Sequence, residues 1–93
     1  MEEFDRELMK KKLDPLLMDI VTQTGATVPL IVQTIDGLKD EDRAKVAALG
    51  GKVKDDLYII NAFSAEMSTD AVLEIIKSDR IVRIYYDAEV RAM

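Results

Sequence analysis

Tyr58-Ile59-Ile60-Asn61-Ala62-Phe63-Ser64-Ala65-Glu66-Met67 joins two strand-forming stretches through a single turn-type residue, Asn61. The upstream stretch reads as a strand over 52–60, strongest in Leu57-Tyr58-Ile59-Ile60, because β-branched and aromatic side chains favour extended backbone. Downstream, residues 62–67 alternate with period two, placing Phe63, Ala65 and Met67 on one side and Ala62, Ser64 and Glu66 on the other. With so little between them, the two strands must form a tight hairpin.

A helix signal flanks this hairpin on each side. Before it, Asp40 is placed to cap a helix over 41–49 that shows Val46 and Leu49 on one face and stops at Gly50-Gly51. Earlier still, residues 28–35 read as a strand with Leu30, Val32 and Thr34 on one face and Ile31, Gln33 and Ile35 on the other. Pro29 stands near its start and Asp36-Gly37 turns the chain. After the hairpin, Ser68 caps a helix with Asp70 in its first turn. Its apolar face is Ala71, Val72, Ile75 and Ile76, and Ser78-Asp79 ends it before a last strand begins at Ile81. The order β-α-β-β-α-β is a pair of split βαβ units, which gives an α+β, ferredoxin-like architecture: a four-stranded antiparallel sheet with both helices on one face. The other face is left uncovered, and on the third strand it carries Ala62, Ser64 and Glu66, a small or polar row that is either solvated or flat enough for a partner to approach closely.

Three regions follow: a helical N-terminal extension over 1–27, the α+β core over 28–87 and an extended tail over 88–93. In the extension, Phe4, Leu8, Met9 and Leu13 fall near helical spacing, with Lys10, Lys11 and Lys12 suited to a helix C-terminus. Asp14 as N-cap and Pro15 at the first helical position start a second helix with Leu16, Leu17, Ile20 and Val21 on its apolar face. Gly25-Ala26-Thr27 reads as a short linker. Such a segment either folds back on its own domain or offers an amphipathic face to a partner.

Composition removes several function classes. The 93 residues suffice for one modest core. A net charge of -5 offers no basic stripe for nucleic acid, so no nucleic-acid partner is expected. The absence of Cys and His excludes thiolate chemistry, imidazole bases and the usual zinc ligand sets; with no base to activate a serine, the chain is not expected to be an enzyme by itself. Asp36, Asp40, Glu41 and Asp42 cluster, but without the spacing of a calcium loop, and they read as acids at a helix start; neither metal nor cofactor is expected. No apolar run reaches the roughly 20 residues of a membrane helix.

The run Gly50-Gly51-Lys52-Val53, then 58–67, Ala71-Val72, Ser78-Asp79 and Ile84-Tyr85-Tyr86-Asp87 with its short tail resembles the propeptide (prodomain) of subtilisin-like serine proteases and the related subtilisin propeptide-like proteinase inhibitors. The resemblance covers about residues 28–93 and leaves 1–27 aside. It implies a prodomain that packs its open sheet face, here Ala62, Ser64 and Glu66, on two surface helices of the protease. It also implies a tail that lies in the active-site cleft like a product, with Met93 before the cut, Ala92 and Arg91 preceding it, and Val90 in an apolar subsite; autoprocessing would follow Met93. Val90 and Met93 are the apolar side chains of that tail, and an extended peptide with pockets for alternate side chains is a known recognition mode. Asp87 corresponds to an acid that caps an enzyme helix, while Tyr85 stands where the family often has a second acid.

A prodomain of this kind assists folding of the protease and then inhibits it. The partner expected is therefore a subtilisin-like serine protease, in cis or in trans, and the expected location is secreted within a protease precursor, with the cytoplasm as alternative. Met1 and the absence of a signal segment favour a free-standing inhibitor acting in trans. An unrelated ferredoxin-like ligand-binding or oligomerising module is the remaining alternative.

Overall fold

The computed structural model describes residues 3–21 and 26–87, with side chains from Arg6 onward. Two helices come first, α1 (Glu3–Lys12) and α2 (Pro15–Ile20). The core follows as β1 (Thr27–Thr34), α3 (Asp40–Ala48), β2 (Lys52–Leu57), β3 (Ala62–Ser68), α4 (Thr69–Ile75) and β4 (Ile81–Tyr86). The sheet order is β2-β3-β1-β4, and every neighbouring pair is antiparallel. This is the ferredoxin-like arrangement, and it follows from local chemistry: each crossover helix carries its strand past one neighbour, so the strands of one βαβ unit are separated by a strand of the other.

The inner face of the sheet is set by alternation. Val28, Leu30 and Val32 on β1 stand opposite Met67, Ala65 and Phe63 on β3, and all are buried. Val72, Ile75 and Ile76 of α4 and Val46 of α3 close over them. Ser68 caps α4, its hydroxyl accepting the Ala71 amide at 3.1 Å. Helix α3 starts differently from the expectation: the N-cap is Lys39, and Asp42, not Asp40, closes the start by accepting the Lys39 amide at 2.9 Å. Its end is a Schellman turn, with Gly51 N–H to Val46 O at 2.8 Å, Gly50 N–H to Ala47 O at 3.0 Å and Gly50 at φ +81°. Gly51 has its own reason: a Cβ there would lie 2.9 Å from the Glu66 carbonyl and 2.8 Å from Met67 Cγ.

The N-terminal extension is part of the core. Met9, Leu13, Leu17 and Val21, spaced by four residues, are all buried in the same cluster as the sheet. The segment runs beside β4: Leu13 makes a parallel bridge to Ile84, and the Asp14 amide donates to Ile84 O at 3.0 Å. Lys12 reaches the end of α4, donating to Ile76 O at 2.8 Å and Ser78 O at 3.0 Å. Burial pushes its ammonium below the usual lysine range, against the opposing pull of Asp79. Asp14 caps α2 with Pro15 at its first position, as the sequence indicates.

One side chain ties the two loops at the far end of the sheet. Arg80 holds Asp42 through two bonds of 2.9 Å, Asp36 at 2.8 Å and the Gly37 carbonyl at 2.9 Å, with Glu41 at 3.4 Å. Hydrogen bonds to Asp42 first and Asp36 second raise the guanidinium pKa further above its ordinary value.

Because the extension is buried, Leu17→Ala should lower the unfolding free energy by about 3 kcal/mol, the usual cost of deleting a buried leucine, whereas Leu16→Ala, at an exposed position, should cost under about 0.5 kcal/mol. Urea denaturation of the two variants measures the difference; equal costs would mean that the extension is peripheral.

Candidate functional site

The face of the sheet opposite the helices is uncovered by the other described elements and is built in three rows. Leu57, Ala62, Gln33 and Arg83 form one; Asp55, Ser64, Ile31 and Tyr85 the next; Lys52, Glu66 and Pro29 the third. Ala62 and Ser64 are both buried although no helix lies over them. They are short side chains on a central strand between longer ones, so neighbouring strands shield them and the surface there is level. Ser64 has a second duty. Its hydroxyl accepts the Asp55 amide at 3.0 Å, where the β2–β3 register slips between Val53 and Asp55. Glu66 is exposed and lies 4.0 Å from Lys54, a half-exposed pair that contributes little.

The face is more apolar than the β3 row alone indicates. Ile31 is half-buried at its centre, with Tyr85 beside it, 38% exposed. The Arg83 guanidinium sits 5.7 Å from the Tyr85 ring, a cation–π contact that holds both side chains on this face. Beyond Thr34 the alternation continues to Ile35, which is exposed, as is Val82, the residue left over where the β1–β4 register slips. The signal for Ile31 and Ile35 was present in the sequence as the second face of β1. Their meeting with Tyr85 required the register.

β2 is shorter than expected. It stops at Leu57, and Tyr58–Ile60 form a 3₁₀ turn that Asn61 closes in the left-handed conformation, φ 53°. The hairpin is tight, but the residues with the strongest strand propensity make its loop, because pairing of Leu57 with Ala62 leaves 58–61 to reverse the chain. Tyr58, Ile59 and Ile60 are 72%, 83% and 54% exposed, and with Asp56 and Leu57 they line a recess of about 360 Å³.

Asp87 ends the described chain at the opposite end of the face, its amide donating to Pro29 O at 3.0 Å. Val90, Arg91, Ala92 and Met93, and the expected cut after Met93, lie outside the described residues. Asp36, Glu41 and Asp42 converge on Arg80, a residue whose part was not legible in the sequence, and Asp40 does not join them. Among the described residues no group of three or more acidic side chains is arranged to hold a metal ion, and no buried polar side-chain atom lacks a partner. No helix among them is long and apolar enough to cross a membrane. No family model, curated protein or solved structure matches the chain.

Ser64 is therefore both a surface group and a fold contact. Ser64→Ala removes the acceptor for the Asp55 amide and should cost about 1 kcal/mol, while Glu66→Ala should cost under about 0.5 kcal/mol. Thermal unfolding distinguishes the two; no loss on Ser64→Ala would mean that water satisfies the Asp55 amide equally well.

Proposed function

We propose that this chain is the prodomain of a subtilisin-like serine protease, an intramolecular folding assistant and product-like inhibitor with no catalysis of its own. The observation that supports the reading most is the open sheet face. Its centre is flush at Ala62 and Ser64, apolar at Ile31 and Tyr85, and uncovered by any of the described elements. Antiparallel sheets often leave one face to solvent, but the apolar pair Ile31 and Tyr85 beside a flush row is the kind of surface a partner can cover.

In this reading two helices of the protease lie on the face, the short side chains of β3 allowing close approach. β4 then carries the chain past Pro29 to Asp87, whose carboxylate meets the amide groups at the start of one of those helices. The tail continues into the cleft as an extended strand, pairing its backbone with the enzyme. Val90 enters an apolar subsite and Met93 the pocket beside the reactive serine. A peptide bound as product has no bond left to cut, so it blocks the cleft until the domain is degraded. Tyr85 replaces the second capping acid with an aromatic side chain that rests against Arg83 and contributes apolar area.

The folding role follows from the same contacts. A prodomain that binds the native protease stabilises it by mass action, and the protease stabilises the prodomain reciprocally.

The tail and the domain can be tested separately. Val90→Asp brings a charge into a dry subsite, at a desolvation cost of several kcal/mol against about 1.5 kcal/mol from burying valine. The inhibition constant against a subtilisin should rise at least tenfold. Cutting after Asp87 should likewise abolish inhibition, with circular dichroism unchanged in both variants. Inhibition as tight as that of the intact chain would exclude the product-like mechanism.

A further inference from the structure

We infer that the β2–β3 hairpin tip, Tyr58, Ile59 and Ile60, is a second anchor for the same protease, gripping it at the end of the sheet farthest from the tail. The inference rests on the protease-binding reading and extends its footprint.

The tip is an anomaly of burial. Three consecutive large apolar side chains project into solvent while the chain has alternative polar solutions for a turn of this length, where Gly, Asn, Asp and Ser are the usual residues. Backbone geometry gives them no role: the αL position is Asn61, and Asn61 O serves the Thr34 amide at 2.8 Å and hydroxyl at 3.3 Å. Those contacts need only the Asn61 backbone, so the fold does not require isoleucine at 59 or 60.

Continuity with the open face identifies the occupant. Leu57, from which the tip starts, stands in the same cross-strand row as Ala62, Gln33 and Arg83. Ile35, exposed, follows β1 directly beyond Thr34, which bonds Asn61, so the same face presents an apolar side chain again at the tip's end, past the Gln33 and Arg83 row. A body resting on the face therefore reaches the tip as well. The flush row at Ala62 and Ser64 permits close approach but supplies no protruding side chain, and protein interfaces take most of their binding energy from a few large anchors in pockets. The tip provides them, about 20 Å along the sheet from Pro29, where the tail departs, at ~3.3 Å per residue.

Charge narrows the partner surface. Asp55 and Asp56, at the base of the tip, are exposed and make no ion pair among the described residues. The matching surface is an apolar depression with Lys or Arg at its rim.

Four chains suffice for the test: wild type, the double variant Ile59→Ser/Ile60→Ser, wild type cut after Asp87, and that tail-less chain with both substitutions, each titrated by calorimetry into subtilisin whose catalytic serine is replaced by alanine. The double variant should keep the wild-type dichroism and melting temperature and bind at least tenfold more weakly. Introduced into the tail-less chain, the same substitutions should weaken binding by the same factor, since sites this far apart act independently. If wild type binds and the tip variant binds equally, the tip is no anchor and the protease-binding reading stands. If wild type itself does not bind, that reading falls and the inference with it. Sedimentation of wild type and variant alone provides the last arm: a dimer lost on substituting the tip, with protease binding kept, assigns the tip to a second copy of the chain and overturns the inference.

Discussion

The structure depends on one constraint, the pairing of β1 with β3 in a register that puts six buried apolar side chains on the same side. Val28, Leu30 and Val32 against Met67, Ala65 and Phe63 make an inner surface that must be covered. On the outer side the same strands offer Pro29, Ile31 and Gln33 against Glu66, Ser64 and Ala62. Helices α3 and α4 accordingly close over one face only, and two-sidedness is settled by a period-two pattern in two short strands.

Those helices alone make a thin cover. α3 buries only Val46 and Asp42, its other exposed positions being charged residues and alanines. The N-terminal extension supplies what is missing: Met9, Leu13, Leu17 and Val21 join the core from the side of β4, and Lys12 binds the carbonyls at the end of α4. A small domain buries a modest fraction of its surface, so four additional buried side chains are a substantial part of its stability. Arg80 does the corresponding work at the other end of β4, where Asp36, Gly37 and Asp42 all converge on one guanidinium. A bidentate pair with a buried aspartate fixes loop geometry, and its removal leaves a charge stranded in the interior.

The sequence was most legible where local chemistry acts alone. Asp14-Pro15, Ser68 and Gly50-Gly51 each mark a helix terminus by satisfying end groups, and each does so in the fold. It was least legible where tertiary pairing overrides propensity. Tyr58, Ile59 and Ile60 have every intrinsic preference for a strand, yet chain reversal at Ala62 leaves them no partner. Lys39 takes the cap from Asp40 because Asp42 is drawn toward Arg80 while also accepting the Lys39 amide. That a carboxylate cluster surrounds an arginine 38 positions away is not a pattern that spacing contains. The candidate face was half visible: its β3 row could be read from alternation, but Ile31 and Tyr85 become neighbours only through the β1–β4 register.

The two edges of the sheet bear on how a partner is recognised. An unpaired strand edge invites addition of another strand, and many peptide-binding domains use it. Here the β4 edge is occupied by the chain's own Leu13 and Asp14. The β2 edge is guarded by other means, with Lys52, Lys54, Asp55 and Asp56 along it and a slip in register at its middle. Both devices oppose edge pairing. Among the described residues, the surface left open is the sheet face, with the hairpin tip at one end and Asp87 at the other. That face suits a broad, nearly flat body and not an added strand.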